Sequence, residues 1–177
     1  VWSWVLGLLC LASFYGSIVH AVAMPAEVRD MLWMPLSFIL GMMVSVFVVA
    51  ILIEWMGTAV LKRAAVVMIS LGIIFFAVMM ALSKVITGYF IVFIGYSGIA
   101  MAFSLCVCLY LIKKRHDDDY VFLAAGVAAI ITASVVQAMR SFHLTLIWEF
   151  DHNSAYHVIL MAAVILIYRG IRKSAVP

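Results

Sequence analysis

The sequence carries little charge for its length. Of its 177 residues, 11% are charged and 68% are hydrophobic, and the mean hydropathy is +1.25. A water-soluble domain averages about 25% charged residues, because polar groups must cover its surface. The scarcity of charge therefore excludes an ordinary soluble domain. The net charge of +3 comes with no basic segment interleaved with aromatic residues, so no nucleic-acid partner is predicted.

Cysteine and proline are also scarce, with three of each. Cys10, Cys106 and Cys108 all lie within apolar runs, whereas the cysteines of a disulfide framework would lie in loops outside the membrane. We therefore expect them to be packing or lipid-facing residues. The first apolar run lacks a basic leading segment and a small-residue cleavage motif, which favours a true membrane span over a signal peptide.

What the chain does contain is long apolar runs. A helix needs about 20 apolar residues to cross a hydrocarbon core about 30 Å thick. We predict an all-α membrane protein, a bundle of about six transmembrane helices that forms a single domain over residues 1–177. A polar loop is expected at 26–30, after Pro25. The predicted spans cover residues 1–23, 32–56, 64–82, 89–112, 120–139 and 153–168.

Lysine and arginine are divided unequally between the two sides of this predicted bundle. Three of these basic residues, Arg29, Lys84 and Arg140, lie on the side that holds the loops after the first, third and fifth spans. The positive-inside rule assigns the richer side to the cytoplasm. Both ends of the chain are therefore predicted to be cytoplasmic, and a further helix before Val1 would move the N-terminus outside. The richer side holds Lys62, Arg63, Lys113, Lys114, Arg115, Arg169, Arg172 and Lys173.

The histidines gather on the opposite, extracytoplasmic side. His20 lies near the end of the first span, His143 lies in the last loop, and His152 and His157 begin the sixth span, whereas only His116 is cytoplasmic. Ionisable residues at apolar spans are candidates for a functional site. The acidic run 117–119 is interpreted as a solvated helix start, with cation binding as the alternative. The acidic residues near the histidines are Glu27, Asp30, Glu149 and Asp151.

Polar residues form a stripe along the first span. Cys10, Ser13, Ser17 and His20 are spaced by three, four and three positions, which places them on one helix face. We expect this face to contact protein and not lipid. The alternative to a functional stripe is hydrogen bonding between closely packed helices.

The same residues suit a zinc site. Three histidines and a water form a standard catalytic zinc centre, in which the ion lowers the pKa of its water and polarises a carbonyl. The candidate ligands are His20, His152 and His157, with Asp30 as a base or ligand-orienting group and Ser17 as a hydrogen-bond donor. His152 and His157 lie about 140° apart on a regular helix. They would reach one ion only if His152 precedes the first regular turn.

These residues resemble the alkaline ceramidase-like, or CREST, superfamily, which includes the alkaline ceramidases and the progestin and adiponectin receptors. The matching segments are GSIVH at 16–20, Asp30, and DHNSAYH at 151–157. The chain differs in carrying HxxxxH where the family has HxxxH, and in separating Ser17 and His20 by three positions and not four. The resemblance implies a seven-helix fold whose first helix would precede Val1. It also implies attack of zinc-bound hydroxide on a lipid amide or related acyl bond.

Three other functions remain open from the sequence. The chain would also suit a non-enzymatic accessory or scaffold subunit of a membrane complex, with protein partners. A b-type haem protein would use His20 and His157 as axial ligands. A transporter would depend on Glu54 and Gln137, although no inverted repeat of the kind found in many transporters is visible.

Overall fold

Six long α-helices dominate the computed structural model, which describes residues 1–85, 90–139, 141, 143–145 and 149–172. Each helix is long and apolar enough to cross a membrane, so the predicted all-α, multi-pass membrane fold is confirmed. A short 3₁₀ helix, Thr58–Val60, precedes α3. The helices are α1 Trp2–Ala21, α2 Ala26–Met56, α3 Leu61–Leu82, α4 Phe90–Arg115, α5 Asp118–Ala138 and α6 His152–Ile171.

Several helices extend beyond the apolar runs that predict them. The prediction of a polar loop at 26–30 is wrong, because α2 already begins at Ala26. Pro25 precedes this helix with φ of −55°, and its carbonyl accepts the Arg29 N–H at 3.1 Å. Glu27 lies in the first turn, where the helix dipole stabilises a negative charge. Hydropathy marks the part of a helix within the hydrocarbon core, whereas the backbone hydrogen bonds continue into polar residues.

The chain divides into two compact units, Val1–Tyr96 and Ser97–Pro177. Helix α4 contributes its first residues to the first unit and the remainder to the second. The expectation of a single domain stays a prediction, and each unit is described by itself below.

In the first unit, α1 packs on α2 through a narrow apolar stripe. Trp2, Val5, Ala12 and Val19 are buried, and their spacing of three, seven and seven residues keeps them on one helix face. The Trp2 indole Nε1 donates a hydrogen bond to Oε1 of Glu54 at 3.0 Å. This contact satisfies the indole N–H at the start of the stripe.

Helices α2 and α3 approach closely because of two glycines. A Cβ atom on Gly72 would meet Ser45 Oγ at 2.5 Å, and one on Gly41 would meet a ring carbon of Phe75 at 2.9 Å. The fully buried Ser45 donates to the carbonyl of Gly41 at 3.0 Å and lies 2.8 Å from the Tyr96 hydroxyl. Since a serine has one hydroxyl proton, Tyr96 is the donor to Ser45.

In the second unit, α5 and α6 pack tightly along their lengths. Gly126 on α5 lies against Ile167 and the carbonyl of Ala163, and Gly170 on α6 lies against Leu123 and the carbonyl of Asp119. Small residues permit this approach of two membrane helices. The end of α6 is consequently held against the start of α5.

Candidate functional site

A short β-hairpin leads into α6. Its strands are β1, His143–Thr145, and β2, Glu149–Asp151. Their antiparallel register sets His143 opposite Asp151, the residue before His152. The sequence prediction was a loop here, although the β-branched and aromatic residues of LTLIWEF at 144–150 are a recognised strand signal. The hairpin therefore places the backbone of His143 beside the start of α6. The sequence predicts only that His143 lies on the same membrane face as His152 and His157.

Asp151 caps the N-terminus of α6. Its Oδ1 accepts the backbone N–H of Ser154 at 2.7 Å, and aspartate is among the residues preferred at this position. His152 is the first residue of the helix. Because the cap sets where the helix begins, it also sets the direction around the helix axis in which each later side chain, including that of His157, leaves the backbone.

The two histidines of α6 lie on different faces of the helix. His152 is partly exposed and His157 is exposed, with its ring edge-on to Tyr156 at a centroid distance of 5.0 Å. Because His152 belongs to the first regular turn, the two positions are separated by about 140°. This separation does not favour the binding of one ion by both histidines. Asn153, four positions before His157, shares its face instead.

The predicted residues of α1 and α2 are exposed. Ser17 donates its hydroxyl proton to the carbonyl of Phe14 at 2.7 Å, so its proton is used within its own helix. Asp30 is exposed in the second turn of α2. The helical position of His20 is described, near the end of α1, but its side chain lies outside the described part of the structure.

Three of the four residues of the polar stripe of α1, Cys10, Ser13 and Ser17, are exposed within the first unit, so the expectation that this stripe faces protein stays a prediction. The contact with α2 is made by the buried apolar stripe of α1, which lies about 100° around the helix from the polar one. The local hydrogen bond of Ser17 removes the need for a polar partner on another helix.

No group of three His, Cys, Asp or Glu side chains within the described residues lies close enough to hold a metal ion. His20 belongs to the first unit, and its side chain is not among those residues, whereas His152 and His157 belong to the second unit. The assignment of His20, His152 and His157 to zinc, and of His20 and His157 to haem, stays a prediction.

Comparison with known proteins identifies a family for the whole chain. No curated protein and no solved structure gives a significant match. A family model described as a family of unknown function, DUF6962, matches residues 1–176. The chain therefore belongs to the DUF6962 family.

Proposed function

We propose that this protein is a metal-dependent membrane hydrolase that cleaves an amide or related acyl bond of a lipid at the membrane face where α6 begins. The observation that supports the proposal is the hairpin–helix junction, where the positions of His143, Asp151, His152 and His157 follow one another at the end of an apolar span. Ionisable residues at such a position are costly in lipid and point to function. Imidazole is the commonest metal ligand in proteins.

His157 is the ligand on which the proposal depends most. It is exposed on α6 and matches the final histidine of the ceramidase-like pattern. The rotation of about 140° between the two positions makes His152 a less favourable partner for His157 at one ion than a ligand from another segment. His20 is the ligand from another segment that the resemblance implies, and all three histidines remain the predicted ligand set. A bound zinc ion would supply a water of lowered pKa and would polarise the acyl carbonyl.

The two other candidate residues differ in what they can do. The Asp30 carboxylate is exposed and is free to accept a proton from a water or to orient a ligand. The Ser17 hydroxyl already donates to Phe14, so it can accept a hydrogen bond without cost but must break one to donate. We therefore assign the proton-accepting role to Asp30 and a secondary positioning role to Ser17.

A hydrolysis assay with matched histidine variants tests this function. The purified full chain is incubated in mixed micelles with a ceramide, an N-acyl ethanolamine or a diacylglycerol, and released fatty acid is measured by mass spectrometry. We expect release from at least one substrate and a loss of 100-fold or more in His157→Asn, on the order of the 10²-fold or greater loss typical for a catalytic group. His116→Asn is the control, since His116 is exposed and has φ of 50°, a backbone conformation that asparagine tolerates.

Two results would contradict the proposal. One is release that persists unchanged in both variants, and the other is an absence of release with all three lipid classes. The second result would favour the accessory or scaffold function, for which a co-purifying membrane protein would be the positive finding.

The proposed orientation places both ends of this chain in the cytoplasm and the start of α6 on the extracytoplasmic face. Its support is the excess of lysine and arginine on the other side. Single cysteines introduced at Ser141 and Asp118, in a chain whose three cysteines are replaced by alanine, test it with a membrane-impermeant maleimide on intact cells. We expect labelling at position 141 and none at 118, and the reverse pattern would overturn the orientation.

A further inference from the structure

A small cavity lies at the end of the second unit where α5 begins and α6 ends. Its volume is about 150 Å³, and it is lined by Asp119, Phe122, Arg169 and Arg172. Its position is at the opposite end of α6 from the hairpin–helix junction. The cavity is therefore separate from the site proposed for hydrolysis.

Close backbone packing lies next to this cavity. A Cβ atom on Gly170 would lie 2.7 Å from the Leu123 nitrogen and 2.8 Å from the Asp119 carbonyl oxygen. Gly170 thus holds the last turn of α6 against the first turn of α5. Arg169 and Arg172, on either side of Gly170, are consequently placed beside the start of α5.

The two arginines differ in how they are held. The guanidinium of the exposed Arg169 lies over the Phe122 ring, 4.8 Å from its centroid, and this cation–π contact favours its position beside the cavity. Arg172 is exposed and makes no side-chain hydrogen bond or ion pair to any residue that the structure describes. One arginine is positioned by a ring contact and the other extends without a described polar partner, and guanidinium groups bind phosphate oxygens in a bidentate manner.

Basic residues outnumber acidic ones in the cavity lining, with Arg169 and Arg172 against Asp119, and among the neighbouring helix ends. Lys113, Lys114 and Arg115 form the last turn of α4, and Arg115 is anchored by a hydrogen bond to the Tyr120 hydroxyl at 2.6 Å. With Arg169 and Arg172 they exceed the three aspartates at 117–119 by two charges. One of those aspartates, Asp117, accepts the Asp119 N–H at 3.0 Å as the cap of α5.

The surroundings favour a lipid as the source of the bound phosphate. The cavity lies at the ends of two membrane-spanning helices, at the level where lipid headgroups lie. Next to it, Val121 on α5 and Ile165 on α6 expose apolar side chains along which acyl chains can lie. Tyr168 is also exposed, as expected of an aromatic residue at the membrane interface.

We propose that the cavity between Asp119, Phe122, Arg169 and Arg172 binds the phosphate group of an anionic phospholipid. The guanidinium groups contact the phosphate oxygens, and the apolar surfaces of α5 and α6 contact the acyl chains. Basic pockets between transmembrane helices bind anionic headgroups in this way. The proposal is independent of the hydrolase function, since the two sites lie at opposite ends of α6.

Lipid retention by the full chain tests this proposal. The delipidated protein is equilibrated with vesicles of equal parts phosphatidylglycerol and phosphatidylcholine, repurified, and analysed by native mass spectrometry. We expect preferential retention of phosphatidylglycerol, reduced about fivefold by Arg172→Gln and about 25-fold by Arg169→Gln with Arg172→Gln, since each basic side chain contributes about a factor of five. Lys62→Gln with Arg63→Gln removes the same charge at the exposed start of α3 and measures general attraction to the membrane.

The outcomes are separable. The site is overturned if phosphatidylglycerol retention falls equally in the Arg169/Arg172 and Lys62/Arg63 double variants. It is also overturned if retention falls in neither of them. Inorganic phosphate at 10 mM distinguishes the sources: displacement of the lipid by phosphate alone would identify a free-anion site and overturn the lipid proposal. If the variant that lacks Arg169 fails to fold, the roughly fivefold loss of phosphatidylglycerol retention expected in Arg172→Gln tests the site by itself. Arg172 is exposed, so its replacement disturbs no packing.

Discussion

Gly170 in α6 lies directly against the carbonyl oxygen of Asp119 in α5, with 2.8 Å between that oxygen and a Cβ atom placed on the glycine. A real Cβ atom does not approach a backbone oxygen so closely. The two helices therefore meet through their backbones at this point. The contact holds α6 in its position on α5, and with it the arginines that flank Gly170.

The first prediction is that Gly170→Ala destabilises the protein. The added methyl group meets backbone atoms that cannot rotate away, and overpacking of this kind costs about 1–3 kcal/mol. Unfolding of the purified chain in mixed micelles, titrated with sodium dodecyl sulfate, measures the change. Gly98→Ala is the matched control, since nothing lies within 4 Å of its Cβ position. Equal stability of the two variants would contradict the close packing.

The second prediction concerns the hydrogen bond between Tyr96 and Ser45. Tyr96→Phe removes the hydroxyl but keeps the ring, which stacks on Phe75 at a centroid distance of 4.3 Å. We expect a loss of about 0.5–1.5 kcal/mol in the free energy of unfolding. Tyr168→Phe, at an exposed position, should change little. A double-mutant cycle with Ser45→Ala should show coupling, and strictly additive effects would exclude the bond.

The third prediction concerns Trp2 and Glu54, which join the start of α1 to the end of α2. Trp2→Phe removes the indole donor from Glu54 and part of the edge-on contact with Phe47, 5.4 Å away. A loss of about 1–3 kcal/mol is expected. Trp4→Phe is the control, because Trp4 is 72% exposed. The same stability change in both variants would mean that the Trp2 contact does not hold α1 on α2.

The fourth prediction distinguishes capping from metal binding at Asp151. Asp151→Ala should cost about 1 kcal/mol through loss of the cap on Ser154, whereas Asp151→Asn should restore most of it. If Asp151 acts only as a cap, the asparagine variant also retains any bound metal. Loss of metal in the asparagine variant with stability preserved would instead identify Asp151 as a ligand.

Hydropathy was sufficient to predict the six helices, but not the faces through which they pack. In α1, both the stripe of Trp2 and Val5 and the stripe of Ser13 and Ser17 are compatible with lipid, because lipid is as apolar as the protein interior. Only the structure distinguishes the packed stripe from the exposed one.

The candidate site was predictable in composition but not in geometry. Both Asp151 and Asn153 are residue types that cap helices, and the structure shows that Asp151 is the cap, which places His152 in the first turn. If the helix began one residue later, the side-chain positions at its start would differ by about 100° of rotation. The pattern of residues 144–150 carries a strand signal, but the register that sets His143 opposite Asp151 depends on the turn geometry, which composition does not specify.

The zinc content of the full chain tests the proposed function most directly. Protein purified without chelator is analysed by inductively coupled plasma mass spectrometry alongside an absorption spectrum. We predict about one zinc per chain, lost in His157→Asn and in His20→Asn and retained in His116→Asn. Protein without zinc, zinc that persists in the His157 variant, or iron with a Soret band would contradict it.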